Sequence, residues 1–224
     1  MTVAVVVFPG TNCEQDVAYA LGVIGADSEL VWHRETDLSG YSAVVLPGGF
    51  AHGDYLRTGA IARFSPVMHE VTRLAREGYP ILGICNGFQI LCESGLLPGA
   101  LIRNRDLRFI CRPVEVRVRS TTSVLTAGVE AGRVLTLPLN SYEGNYVASD
   151  LPSVEVVLEY CGPDGETSER HNPNGSMGSS AAVANSRGNV VGIMPHPERA
   201  IETVLGSADG RVLLESFVGS TARD

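Results

Sequence analysis

Residues 80–95, PILGICNGFQILCESG, constrain the chain most, because a buried-strand pattern breaks there directly into a helical one. Ile81, Leu82 and Ile84 form a short apolar run of the kind found in interior parallel strands, while Phe88, Ile90, Leu91 and the terminating Gly95 read as a short helix. Cys85 stands at the break, with Gly83 and Gly87 two residues to either side. This is the sulfur counterpart of the G-x-S-x-G turn, in which a nucleophile projects from a sharp strand-to-helix corner. The glycines admit the turn and the close backbone approach that a side chain would block. The helix start directs unpaired N–H groups and a partial positive charge at the sulfur, which favours thiolate by at most ~2 kcal/mol. That is roughly one and a half pKa units from about 8.5, so the thiol needs a second partner.

Met194-Pro195-His196-Pro197-Glu198 supplies that partner. A residue before proline is pushed into an extended conformation, so Pro197 holds His196 extended and Pro195 stiffens its approach. Side chains two apart then share a side, and Glu198 is expected to accept a hydrogen bond from one imidazole nitrogen while the other faces Cys85. Nucleophile, base and orienter are thereby provided. His33, His52, His69 and His171 lack such flanks and are read as structural. A strand at 43–46 ends in Pro47-Gly48-Gly49, whose bare N–H groups, with that of Asn86, are expected to form an oxyanion hole. Cys13 is the rival thiol, but Thr11 and Gln15 stand where an elbow has glycines, so it is read as structural.

Along the chain, 3–8 is a first central strand and Asn12 is expected to cap a helix through Val17, Ala20 and Leu21. Strands follow at 30–32 and 43–46, then a long helical pattern over 56–78, with Pro66 marking a break and Gly78 closing it. Beyond Gly95 the pattern turns to strands at 108–119, 133–137, 154–160, 180–185 and 189–193, and a last helix lies near 209–219. The polar stretch 162–179 reads as surface loop. The order is βαβ repeats followed by a β-rich extension, expected as one domain over 1–224.

A net charge of -8 argues against a nucleic-acid or anionic-membrane partner. With no run of transmembrane length and no basic segment before the first apolar stretch, a cytoplasmic setting is the expectation. Five widely spaced cysteines without a C-x-x-C pair imply reduced thiols, with no disulfide framework and no resident metal. All 17 basic residues are arginine, which excludes a Walker-A phosphate loop and a Schiff-base lysine.

These residues resemble the class I, or triad, glutamine amidotransferases. PGTNCEQD, GDYLRTGAIARF, GICNGFQIL, FICRPVEV, MPHPERA and GSADGR are similar, in order and spacing, to segments of the glutaminase subunits of phosphoribosylformylglycinamidine synthases. The resemblance covers nearly the whole chain. It implies a flavodoxin-like, doubly wound, mostly parallel α/β fold. It also implies attack of Cys85 on the side-chain amide of glutamine, proton transfer by His196, orientation by Glu198, and an oxyanion hole from Gly49 and Asn86. Gln89 matches a motif position beside the substrate. No cofactor is expected in this chain: the resemblance places ATP and Mg in a separate synthetase subunit that receives the ammonia, and a small third subunit assists assembly. One segment departs, since Asn140-Ser141-Tyr142-Glu143-Gly144 stands where the family has Ala-His-Gly-Glu-Gly.

Overall fold

The computed structural model describes residues 2–222. Its strands in chain order are β1 (Thr2–Val7), β2 (Asp27–Trp32), β3 (Ala43–Leu46), β4 (Ile81–Ile84), β5 (Ala100–Ile102) and β6 (Ile110–Val118). After these come β7 (Val134–Ser141), β8 (Asn145–Val147), β9 (Glu155–Cys161), β10 (Ser180–Ala184) and β11 (Val190–Ile193). The helices are α1 (Glu14–Val23), α2 (Val67–Glu77), α3 (Asn86–Glu93) and α4 (Gly210–Gly219). Nine strands form one sheet in the order β2-β1-β3-β4-β11-β10-β9-β6-β7, and β5 pairs with β8 apart from it.

The sheet has two halves of different chemistry. β2, β1, β3, β4 and β11 run parallel, and β3, β4 and β11 are buried at every residue, as interior parallel strands covered on both faces require. The other half, from β10 to β7, is antiparallel. There β7 alternates, burying Leu135, Leu137 and Leu139 while the residues between them are only partly covered. The arrangement is the expected doubly wound α/β fold. The β-rich extension, however, is no separate layer, because β10 pairs with β11 and continues the same sheet.

Three local expectations are corrected. The segment 56–66 is not helical: 3-10 turns occupy Ala51–Asp54 and Ala62–Phe64, and His52, Asp54 and Leu56 take positive φ. Pro66 stands at the start of α2 rather than at a break within it, where its missing N–H costs no helical bond. Gly78, at φ 95, does end that helix. The polar stretch 162–179 is not all surface loop, since Asn172, Asn174 and Ser176 are buried. Asn174 Nδ2 donates to the Gly144 carbonyl at 2.7 Å and Asn172 Nδ2 to the Ser176 carbonyl at 2.8 Å, so the loop's polarity is satisfied internally. At α1 the cap position falls on Cys13, and the Asn12 N–H is instead donated to the Gly48 carbonyl at 3.1 Å.

The fold positions a site through one consequence of parallel pairing. The carboxyl ends of β1, β3, β4 and β11 all meet the same edge, and the segments leaving them carry Cys13, Gly48-Gly49, Cys85 and His196. Among the described residues, no helix is long and apolar enough to cross a membrane.

Candidate active site

Cys85 is the single residue between β4 and α3, and its backbone is held at φ 51, ψ −103. A non-glycine residue at positive φ stores about 1–3 kcal/mol of strain, so the surrounding structure must impose it. It does so by tight packing. The Cys85 N–H donates to the Ile193 carbonyl at 2.8 Å, continuing the β4–β11 ladder into the corner. A Cβ on Gly83 would lie 2.6 Å from the Gly87 carbonyl group, and one on Gly87 would collide with the Leu46 carbonyl oxygen. Both flanking glycines therefore serve close approach. The sulfur faces the Asn140 carbonyl oxygen at 3.6 Å.

His196 is extended at φ −103, ψ 90, and its N–H donates to the Pro138 carbonyl at 2.8 Å. Pro197–Arg199 then form a 3-10 turn rather than the expected continuation of extended chain. The expected contact is made all the same: His196 Nδ1 lies 2.7 Å from Glu198 Oε1, with both side chains buried. His196 Nε2 is buried without a hydrogen-bond partner. Burial opposes charging of the imidazole, but the Glu198 carboxylate and the two adjacent thiols outweigh it and lift the pKa well above the usual value.

The second of those thiols is Cys13, which sequence reading set aside. Its sulfur, a His196 nitrogen and a Glu198 oxygen all lie within 4.8 Å of one another. Arg199 Nη2 approaches the Cys13 sulfur at 3.2 Å while its Nε donates to Asp16 Oδ2 at 3.0 Å. A signal for this was present, since Cys13, like Cys85, lies where a helix follows an interior strand.

Gly48 is the point on which the three side chains converge. A Cβ there would lie 2.8 Å from His196 Cε1, 3.1 Å from Cys13 Sγ and 3.5 Å from Cys85 Cβ. Gly49, at φ 151, has no room for a side chain either, since its Cβ would fall 2.7 Å from the Asn12 nitrogen. The Asn86 side chain is buried and fully used: Oδ1 accepts the Ala51 N–H at 3.0 Å, and Nδ2 donates to Gln89 Oε1 at 2.8 Å and to Asp54 Oδ1 at 3.3 Å. Gln89 Nε2 in turn donates to the Glu143 carbonyl at 2.7 Å. Asn86 and Gln89 thus tie α3 to the segments 51–54 and 140–144. In the departing segment, Ser141 Oγ is buried without a partner.

A cavity of about 300 Å³ opens over these groups. Cys85, Gln89 and His196 line its floor chemistry, Asp54 and Glu143 add carboxylates, and Phe50, Phe109 and Tyr142 are its exposed aromatic side chains. That volume stands at the small end of ligand sites, suited to an amino-acid-sized molecule. Burial, with the neighbouring Glu143 adding to it against the Asn86 hydrogen bond, pushes the Asp54 carboxyl up to about 6.

Residues 1–213 match the CobB/CobQ-like glutamine amidotransferase domain. The chain is 49% identical over 230 aligned positions to phosphoribosylformylglycinamidine synthase subunit PurQ of Koribacter versatilis, covering all of both chains. It is 51% identical to the subunit of that name from Chlorobium chlorochromatii, over 98% of this chain and 97% of that one. A chain in the structure of PurLQS from Thermotoga maritima superposes with a TM-score of 0.90 at 40% identity, covering 98% of each. The chain belongs to the CobB/CobQ-like glutamine amidotransferases and, within them, to the PurQ-type subunits of phosphoribosylformylglycinamidine synthase.

Proposed function

We propose that this chain hydrolyses glutamine through Cys85, with His196 as proton carrier and Glu198 as its orienter. The observation that carries the reading is the 2.7 Å His196–Glu198 contact, which leaves Nε2 bare at the sheet edge where Cys85 projects from its strained corner. The raised His196 pKa favours an imidazolium at the side of Cys85. The thiolate attacks the side-chain amide carbon, and the oxyanion is held by the backbone N–H groups of Gly49 and Asn86, with Gly48 leaving the space. His196 gives its proton to the departing nitrogen, and ammonia leaves a Cys85 thioester. Water deprotonated by His196 then releases glutamate and restores the thiol. Gln89 borders the bound amino acid.

The ammonia passes to a large synthetase subunit that converts formylglycinamide ribonucleotide to its amidine, with ATP and Mg bound there and a small subunit assisting assembly. The chain acts as a single domain over 1–224. A cytoplasmic setting agrees with its free cysteines. The synthetase docks over the cavity mouth, where Phe50, Phe109 and Tyr142 are exposed.

The test is glutamate production from glutamine by wild type and Cys85→Ser, each alone and with the cognate synthetase, ATP and formylglycinamide ribonucleotide. Partner-stimulated turnover in the wild type, absent in the variant, is expected. Stimulated turnover that survives in Cys85→Ser would overturn the reading.

A further inference from the structure

Glutamine carries an α-ammonium and an α-carboxylate that the thioester chemistry does not use, and the charges lining the cavity answer the first of them. We propose that Asp54 receives the α-ammonium of glutamine and so selects an α-amino acid over other primary amides at the Cys85 corner. Asp54 takes that role only if glutamine is the ligand of the cavity, as the thioester reaction above requires.

The cavity of about 300 Å³ is lined by two carboxylates, Asp54 and Glu143, and by one arginine, Arg199. A ligand is called for there independently of the carboxylates, because His196, only 2% exposed, lines the same cavity with Nε2 buried and unpartnered. Arg199 does not balance Asp54: its Nε donates to Asp16 Oδ2 at 3.0 Å and its Nη2 faces the Cys13 sulfur at 3.2 Å. Glu143 is already compensated, since Oε2 accepts from Thr58 Oγ1 at 3.1 Å and Oε1 lies 3.7 Å from Arg103 Nε. Asp54 has one long contact, from Asn86 Nδ2 to its Oδ1 at 3.3 Å, and no cation pairs with it among the described residues. A half-buried carboxylate facing a ligand cavity without a positive partner is matched by a ligand that brings one.

Position and backbone agree with this. Asn86 follows Cys85 in the chain, and its side chain reaches Asp54 directly. Four single bonds separate the amide carbon of glutamine from its α-nitrogen, about 5 Å when extended, which is comparable with the span of one such side chain. Asp54 is held at φ 53, between His52 at φ 53 and Leu56 at φ 71. Non-glycine residues in this region persist only where the surrounding structure imposes them, and they cluster at ligand sites. Here Asn86 Oδ1 fixes the start of the turn by accepting the Ala51 N–H at 3.0 Å. Burial, with Glu143 adding to it, pushes the Asp54 carboxyl up to about 6, a shift that a positive ligand opposes.

The test compares glutamine with 4-carbamoylbutanoate, which has hydrogen in place of the α-ammonium and keeps the amide and the carboxylate. Release of ammonia from each is measured as kcat/KM in the assembled complex. The wild type is expected to prefer glutamine at least tenfold. In Asp54→Asn, which keeps the shape and the Asn86 contact, that preference is expected to fall at least tenfold, through loss on glutamine with the analogue changed less than threefold. Equal losses on both substrates would assign Asp54 to support of the corner through Asn86 and overturn the proposal, as would a preference unchanged by the substitution. A wild-type preference below threefold would overturn it without any variant. Failure of the nucleophile assignment is seen separately, as turnover by Cys85→Ser, whatever the preference between the two amides.

Discussion

Two corners of this molecule place a cysteine beside the same histidine, one after β1 and one after β4. Both follow an interior parallel strand and both precede a helix, yet their backbones differ. Cys85 is held at φ 51 between glycines, whereas Cys13 is relaxed at φ −105 and its sulfur is approached by Arg199 at 3.2 Å. The strained corner is the one whose glycines permit contacts that no side chain would tolerate, and its sulfur has only a weak 3.6 Å carbonyl partner. Proximity to a base therefore does not by itself select a nucleophile. What separates the two thiols in the structure is that one has only that weak carbonyl contact while the other faces a guanidinium.

The sharpest way to break this comparison is to exchange one sulfur at a time. Cys85→Ser is expected to lower glutaminase turnover by roughly 10⁴-fold, the scale seen when one member of a catalytic set is lost. Gly48→Ala comes next, because its methyl would meet His196 Cε1 at 2.8 Å and Cys13 Sγ at 3.1 Å. A loss of about 10²-fold is expected for such displacement of reacting groups, with destabilisation of about 1–3 kcal/mol from overpacking. Turnover is measured at saturating glutamine in the assembled complex, and stability by urea denaturation. Cys13→Ala, measured in the same way, is expected to lose less than about tenfold, because the variant keeps the Cys85 corner intact. A Cys13 effect equal to that of Cys85 would erase the distinction.

The smallest effect falls on Asp54, which supports the Cys85 corner through Asn86 at 3.3 Å. Its folded pKa of about 6 exceeds the ordinary carboxylate value of 3.8, so the fold prefers the neutral acid. The stabilisation linked to that proton is fully present below pH 3.8 and is lost as pH rises through 6. Asp54→Asn, neutral throughout, is therefore expected to be more stable than wild type at pH 8 by about 1 kcal/mol, after discounting for partial solvent exposure. At pH 3.5, below both values, the difference should vanish. Urea midpoints at the two pH values check this, and a gain of equal size at both would remove the link to ionisation.

Much of the Cys85 corner was legible because it depends on local rules. The apolar run 43–46 gave β3 its full extent, and the glycines around Cys85 marked a turn that few other residues allow. The His196–Glu198 pairing was also foreseen, although it is made across a 3-10 turn instead of extended chain. What escaped depends on distant contacts. Asn172, Asn174 and Ser176 read as surface because polar residues usually are, yet they satisfy one another and Gly144 inside the fold. The 56–66 segment carried helical periodicity, but its backbone passes through positive φ at Leu56 and in the neighbouring 3-10 turn. Cys13 was visible as a residue ahead of a helix that follows an interior strand, but that β11 delivers His196 to its side depends on a distant pairing.

The most direct measurement is to quench the assembled complex with acid during turnover of isotopically labelled glutamine and map the acyl-thioester by peptide mass spectrometry. The account predicts the glutamyl label on the peptide carrying Cys85 and none on that carrying Cys13. Label on Cys13, with Cys85 unmodified, would contradict it.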